Sequence, residues 1–337
     1  MLANVEIVHR SAFTPQGFDY ELFERLCDST VDFSVDRSFD WGDESLQVAY
    51  LGASWLAATV SLPDSPPLRT SHYYATTKAL MAENAVRPLG LVDFAFPTTI
   101  VSNACVSGAQ AVIEAIDALN DGDCDVAVVT ASDVITSFAD DGFKSLQALA
   151  TTCALPFDRR RTGLTLSSAY AEVILTRDEG REPRIISYGC SNDANHISGP
   201  SQDGSGLALA IERALDGIDK SEIQAICAHG TATVYNDAME ARAFHTVFNG
   251  NPPPVFGIKG AIGHTLGAAG LIEVIVSAKV STEGLIPPTV GFEQGEDEYP
   301  LDIVHGEPRR IEPGYVLTTN SGFGGMNTAI VVGPGAV

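Results

Sequence analysis

The chain of 337 residues is 45% hydrophobic and carries a net charge of −23, which arises from a scarcity of cations: 20 lysines and arginines against 43 acids. Such a length buries a large core and accommodates two structural halves, and so acidic a surface repels phosphate backbones and anionic lipid, which excludes nucleic acid and a membrane surface as partners. The longest apolar run, Ala49 to Leu62, is too short to span a bilayer, no basic-then-apolar leader opens the sequence, and Cys27, Cys105, Cys124, Cys153, Cys190 and Cys227 lack C-x-x-C spacing, so a cytoplasmic protein without zinc or a disulfide framework is expected.

The first hundred residues carry only weak helix signals, around Tyr20–Cys27 and Ser45–Ala57. Thr99 to Ser102 is apolar and β-branched and reads as a buried strand running towards Cys105. Apolar residues at helical spacing follow from Gly108 to Leu119, closed by Asn120-Asp121-Gly122. Asp125–Thr130 and Ala169–Thr176 read as strands, and the charged stretch at 177–183 marks a seam. Beyond it the order repeats. A strand starts at Arg184–Ser187, a helix covers Gly206–Leu215, a strand over Ile223–Ala228 ends at His229, Val255–Ile258 leads into Lys259, and a second helix covers Gly267–Val280. Val316–Thr319 and Ala329–Val332 close the chain as a hairpin around a glycine-rich turn. Strands alternating with helices in two similar halves predict an α/β layered fold, divided as 1–180 and 181–337.

One pattern occurs twice. C-V-S-G-A-Q-A-V-I-E-A-I begins at Cys105 and H-T-L-G-A-A-G-L-I-E-V-I begins at His264, so that Gly108 matches Gly267, Ala109 matches Ala268, Ile113 matches Ile272 and Glu114 matches Glu273. Two packing helices alike only in composition would leave a similar trace. Cys105, however, ends a strand and opens a helix, where unpaired backbone N–H groups and the helix dipole favour a thiolate and lower its pKa. His229 in A-H-G-T-A-T and His264 in K-G-A-I-G-H, five residues after Lys259, each stand at a strand-to-helix transition beside glycines. The remaining cysteines and His9, His72, His196, His245 and His305 lack such a setting and read as structural. Two histidines and a lysine in such settings, with Cys105, point to a Cys/His active site.

These residues sit in motifs that resemble a β-ketoacyl-acyl-carrier-protein synthase of the thiolase superfamily, in the elongating Cys-His-His class. The nucleophile motif reads N-A-C-V-S-G at 103–108, followed by P-F-D-R-R-R-T-G at 156–163 and N-D-A-N-H-I-S-G-P-S-Q-D-G at 192–204. C-A-H-G-T-A-T at 227–233 precedes N-D-A-M-E-A at 236–241, then come Lys259 and His264, and G-F-G-G-M-N at 322–327. The matches cover about residues 95 to 332 in the family's order.

The resemblance implies a five-layered αβαβα fold from two similar halves, with a shortened N-terminal region. It implies that Cys105 takes an acyl group from an acyl-carrier-protein or coenzyme-A thioester, and that a malonyl-type thioester then loses carbon dioxide and condenses with it. His229 and His264 would stabilise the enolate and Lys259 would hold their geometry. Cys105 and Phe323 would supply the oxyanion hole, Phe323 the gate, and Thr231, Thr233, Phe323 and Gly324 would contact substrate. No metal, nucleotide or redox cofactor is implied. A homodimer, or a heterodimer with another ketosynthase-like subunit, is expected.

Four departures stand out. Fewer residues precede the cysteine than is usual, Thr162, Ser167 and Ser168 replace an acid, a glycine and a glutamate, Met326 replaces a threonine, and Ser321 stands where phenylalanine is usual. Arg159, Arg160 and Arg161 with Lys144, or Arg309 with Arg310, are the basic groups available to an acidic carrier. A chain-length-factor-like partner subunit and an acyltransferase acting on an alcohol or amine are the alternatives.

Overall fold

Strands in two sets with one internal order organise the computed structural model, which describes residues 2–14, 17–18, 69–77, 97–177 and 183–335. The first set holds β1 (Leu2–Thr14), with β2 (Gly17–Phe18) paired to its end, then β3 (Thr70–Ala75), β4 (Thr98–Val101), β5 (Val126–Asp133) and β6 (Ala169–Arg177). The second holds β7 (Arg184–Asn192), β8 (Ile223–Cys227), β9 (Val255–Phe256), β12 (Tyr315–Gly322) and β13 (Met326–Gly333), while β10 (Leu285–Ile286) and β11 (Arg309–Arg310) form a separate ribbon.

The strand order is β4-β3-β5-β6-β1 in one set and β9-β8-β12-β13-β7 in the other. In both, the first two pairings are parallel and the last two antiparallel. β1 also pairs with β7, Val5 opposite Ile185, and joins the sets into one 11-stranded sheet. Doubly covered parallel strands are buried on both faces, which is why β5 reads V-A-V-V-T-A-S-D without alternation and is buried throughout.

The helices are α1 (Ser107–Asp121), α2 (Ser137–Ser145), α3 (Ser205–Ala214), α4 (Val234–Val247), α5 (Lys259–Ile262) and α6 (Ala269–Glu283). α1 lies on β3 and β5, α6 lies on β12 and β13, and the two pack on each other between the strand sets. α6 is buried on nearly every side, as a central-layer helix must be. α3 covers the far face of β7 and β13, and α4 packs outside it. Sheet, helix pair, sheet and outer helices thus alternate as layers within the described residues. The helices expected at Tyr20–Cys27 and Ser45–Ala57 lie outside them.

Glycine sets the crossing of α1 with the start of α6. A Cβ on Gly108 would lie 2.8 Å from both Gly267 O and Leu271 N, and one on Gly270 would lie 2.8 Å from Ala109 N. These are backbone contacts, so neither helix can yield cheaply to a larger residue. Of the two duplicated glycines, Gly108 faces the Gly267 backbone, while a Cβ on Gly267 would meet Asp133 Oδ2 at 2.6 Å and Thr77 N at 3.0 Å.

Several expectations need correction. α1 begins at Ser107, two residues past Cys105, because Ala104 takes a left-handed φ of 48° and turns the chain before the helix can start. A 3-10 turn, Leu266–Ala268, precedes α6. β1, β3, α2 and α4 were not anticipated. In α4 the buried positions include Asn236, Asp237 and Glu240, so polar residues break the apolar period by which a helix is read.

Candidate active site

The thiol and an imidazole meet where the two copies of the pattern meet. His264 Nε2 lies 3.2 Å from Cys105 Sγ, both buried. On the cysteine side, Ser107 Oγ accepts from Asn103 N (2.8 Å) and donates to Ala104 O (2.6 Å), pinning the elbow between β4 and α1. On the histidine side, His264 N donates to Thr165 O (2.6 Å) and Ser167 N donates to His264 O (3.0 Å). Asp133, at the end of β5, reaches across: its Oδ2 accepts from Gly267 N (2.8 Å) and Thr77 N (2.9 Å) and its Oδ1 from the Thr77 hydroxyl (2.9 Å). A buried carboxylate with these donors fixes the H-x-x-G turn to the strand set that carries the cysteine.

His229 follows β8 on a turn that Gly230 completes at φ 46°. Glu240 of α4 holds this turn, accepting from His229 N (2.8 Å) and Gly230 N (2.7 Å), while Asp237 accepts from Ala232 N (3.1 Å) and Phe157 N (2.7 Å). His229 Nδ1 faces Lys259 Nζ at 3.2 Å and Asn320 Nδ2 at 3.1 Å. Both are donors, so Nδ1 accepts and the ring hydrogen resides on Nε2. Lys259 also donates to His229 O and pairs with the Glu273 carboxylate, to which Asn320 Nδ2 donates in turn. The two imidazoles stand edge to face with centroids 5.2 Å apart.

Burial dominates the electrostatics. It pushes the Cys105 thiol up to about 12, with the Lys259 cation pulling the other way. It also holds His229 and His264 well below the ordinary imidazole range, helped by Lys259. Thiol and imidazoles are therefore neutral in the resting site. The modest lowering expected from the helix dipole for a partly exposed thiol does not govern here: Cys105 is buried, and a dipole contributes at most about 1 kcal/mol within a first turn that begins two residues beyond it. His264 Nδ1 has no hydrogen-bond partner among the described residues. Its ring can exchange tautomers without breaking a bond on that side, whereas His229 is locked as a donor.

At the mouth, Phe323 is 37% exposed and packs on Phe143 of α2 at 5.6 Å between ring centroids. Gly324 and Gly325 adopt φ of 89° and 78°, so the turn needs glycine after the aromatic, while a Cβ on Gly322 would sit 3.4 Å from Cys105 N. The 192–204 segment holds this turn. Gly324 N donates to Ile197 O (2.8 Å), Asn192 Nδ2 to Gly324 O (3.1 Å) and Asp193 N to Gly325 O (2.9 Å). The Thr231 and Thr233 hydroxyls lie 2.9 Å apart on the turn after His229.

The departures are absorbed by hydroxyl chemistry. Ser168 Oγ accepts from Ile135 N (2.9 Å), Thr162 Oγ1 from Thr151 N (3.2 Å), and Ser321 Oγ donates to Asn327 Oδ1 (2.7 Å). Met326 Sδ lies against Asn192 Nδ2.

Most of the candidate basic groups are spent within the chain. Arg160 pairs with Asp158 and Glu293, Lys144 with Asp140 and Arg309 with Asp302. Arg161 is buried, pairs with Glu296 and donates to the Asp158 and Val234 carbonyls, which makes it structural. Asp133, Asp237, Glu240, Glu273 and Asn320 were not singled out from sequence as site residues. Glu273 left a signal by repeating Glu114 in the duplicated pattern, and Asp237 and Glu240 lay within the matched N-D-A-M-E-A segment without a role assigned to them.

Two family models match, the Beta-ketoacyl synthase N-terminal domain over residues 54–180 and the Beta-ketoacyl synthase C-terminal domain over residues 184–293. The chain is 30% identical over 276 residues to the 3-oxoacyl-[acyl-carrier-protein] synthase 2 of Mycobacterium tuberculosis, covering 77% of this chain and 66% of that protein. It thus spans just under two-thirds of that relative's length. Among solved structures, the ishigamide ketosynthase/chain length factor superposes with a TM-score of 0.82 at 23% identity, over 99% of this chain and 100% of that one. A ketosynthase in complex with its type II polyketide acyl-carrier protein gives 0.84 at 20% identity over 100% of both. With the paired strand sets, the Cys–His contact and these matches together, the chain belongs to the beta-ketoacyl synthase family and has its thiolase-like fold.

Proposed function

We propose that the protein is a cytoplasmic decarboxylating condensing enzyme that joins a Cys105-bound acyl group to a malonyl-type thioester on an acyl carrier protein, in fatty-acid, polyene or polyketide-type biosynthesis. The observation that carries this reading is Cys105, His264, His229 and Lys259 in one buried cluster, with His264 Nε2 at 3.2 Å from the thiol. In acylation, the Cys105 sulfur attacks the donor thioester carbonyl and its proton passes to His264 Nε2. The proton leaves with the departing carrier thiol, so a neutral thiol exchanges one thioester for another. The backbone N–H groups of Cys105 and Phe323 hold the oxyanion, and Phe323 opens the acyl pocket on its glycine turn.

In condensation, the malonyl carboxylate leaves as carbon dioxide and its electron pair forms the enolate. Nε2–H of His229, kept a donor by Lys259 and Asn320, and His264 in its Nε2–H tautomer bind the enolate oxygen. The enolate carbon attacks the acyl-Cys105 carbonyl and expels the thiolate, which retakes a proton. That proton comes from solvent by way of His264, so the two thioesters and one proton account for the 3-ketoacyl thioester, the free carrier thiol and carbon dioxide. Thr231, Thr233 and Gly324 line the approach of the donor arm. We assign residues 1–180 and 181–337 to the two halves, one supplying the nucleophile and the other both imidazoles and the lysine. β4 ends the strand order with a single neighbour among the described residues, and this edge supports pairing with a second, ketosynthase-like chain.

The test is intact-mass analysis after incubation with acyl-carrier thioester, followed by malonyl-carrier protein. An adduct lost in Cys105→Ala and discharged as a 3-ketoacyl product supports the reading. Discharge by an alcohol or amine alone identifies an acyltransferase instead, and no adduct in the unmodified protein overturns both.

A further inference from the structure

An acidic strap with Glu293, Glu296, Asp297 and Glu298 runs beside the P-F-D-R-R-R motif and α4. Its backbone is anchored at the start, where the buried Asp158 carboxylate accepts from Glu293 N (2.7 Å) and Gln294 N (3.0 Å) and Arg159 N donates to Gln294 O (2.9 Å). At its far end Arg242 of α4 lies 5.0 Å from the Tyr299 ring centroid and 3.5 Å from Glu298. Glu296, between these anchors, is 44% exposed, yet it pairs at 2.9 Å with Arg161, whose side chain is 3% exposed.

The remaining bonds of Arg161 go to backbone. Nε donates to Thr233 O (3.3 Å), Nη2 to Val234 O (3.0 Å) and Nη1 to Asp158 O (3.2 Å). Asp237 comes no nearer than 4.0 Å, and its oxygens already accept from Phe157 N and Ala232 N. Among the described residues, Glu296 is thus the carboxylate in hydrogen-bond reach of this guanidinium, and a buried charge holds its place only while it is matched. A cavity bounded by Phe157, Asp237 and Tyr299 adjoins Arg161, so the released side chain has room to swing. The carbonyls that Arg161 grips belong to the turn after His229, on which the Thr231 and Thr233 hydroxyls face each other at 2.9 Å.

We propose that Glu296 and Arg161 are positioning residues for the donor thioester arm: the surface carboxylate holds the guanidinium, and the guanidinium holds the turn that presents Thr231 and Thr233. The proposal rests on the condensing reading above and deepens its binding step. Neither residue touches a reacting atom, so their loss falls on arm binding and spares the chemistry at Cys105. The backbone anchors of the strap do not involve the Glu296 side chain, so its removal changes the partner of Arg161 and leaves the strap in place.

The experiment measures KM and the maximal rate of Cys105 acylation by intact mass, with an acyl-pantetheine thioester as donor. This donor has the arm but no phosphate, so surface charge does not act on it directly. Glu296→Ala should raise KM about three- to tenfold and hold the maximal rate within about twofold. Glu296→Gln keeps a neutral acceptor and should lie between it and the unmodified protein. In a Thr231→Ala, Thr233→Ala background, Glu296→Ala should add nothing further, because the effect passes through that turn. Glu298→Ala, which frees the strap from Arg242 instead, should leave KM unchanged. Alkylation of Cys105 by iodoacetamide, which needs no arm, should be as fast in Glu296→Ala as in the unmodified protein. An unchanged KM in Glu296→Ala, an equal rise in Glu298→Ala, an undiminished effect in the threonine-less background or a matching loss of alkylation overturns the proposal. Failure of the thioester to acylate the unmodified protein overturns the condensing reading itself, so the two failures are distinct.

Discussion

At Cys105 burial and the Lys259 cation act on the thiol in opposite senses, and burial prevails. Thiolate content then sets reactivity. The rate of Cys105 alkylation by iodoacetamide should rise steadily with pH through 9, and a plateau near pH 7 would show a low-pKa thiol instead. Lys259 and Glu273 are each 1% exposed and form a buried pair. Lys259→Met leaves a carboxylate uncompensated in the core and should cost about 3–5 kcal/mol, seen as a lower denaturation midpoint. Lys259→Met with Glu273→Leu should recover most of that stability but not condensation, because His229 Nδ1 then loses a donor that fixes its tautomer. Glu240→Gln points an amide N–H at backbone donors His229 N and Gly230 N. It should lower kcat for condensation at least tenfold, with Cys105 acylation less affected, as single-turnover kinetics would show.

At the scale of elements, the crossing of α1 with the start of α6 decides whether thiol and imidazole meet. Gly108→Ala and Gly270→Ala each drive a methyl into backbone, and should destabilise by about 1–3 kcal/mol and slow acylation. Gly122→Ala, at a left-handed C-cap with open space around it, should cost about 1 kcal/mol and leave acylation intact. Thermal melts paired with acylation rates separate these outcomes. The meeting of Cys105 and His264 was legible in the sequence from their matched patterns, whereas Gly270, which packs on Ala109, matches Ala111 and was not; the strand that ends before Cys105 and the closing hairpin were legible from apolar, β-branched runs. The stabilising shell was not. Glu240 and Asp237 sit on a helix whose buried face is partly ionisable, and Asp133 ends a strand like any surface carboxylate. Their role depends on backbone N–H groups far away in sequence, which composition and period do not encode. The direction of the Cys105 shift failed for a related reason: proximity to a helix start is local, whereas burial is tertiary.

Across the whole molecule, buried imidazoles make stability depend on pH. His72 lies between the Thr98 and Thr130 hydroxyls and burial lowers it to about 4. The unfolded chain binds its proton below about 6.5, so between that pH and about 4 the unfolded state holds more protons and stability falls as pH falls, by about 3 kcal/mol from His72 alone. His229 and His264 are lowered as well and add to the loss. Glu240, raised to about 8 by burial and by Asp237, works in the opposite sense, and its contribution declines as pH climbs from about 4.5 to 8. Chemical denaturation from pH 7 to 4.5 should show this acid-side loss, and His72→Asn should reduce its slope by one proton.

β1 gives the assembly a temporal order. It lies between β6 and β7 and joins the strand sets, yet during synthesis it leaves the ribosome well before either partner. Parallel pairs such as β3 with β5 form across shorter separations, so the seam of the molecule closes late. Until residues 169–177 have been made, Val5 and Ile7 have no strand beside them, and a nascent chain stalled before that point exposes β1 with both edges unpaired. β1, made long before both of its partners, thus needs protection by a chaperone while it waits for them.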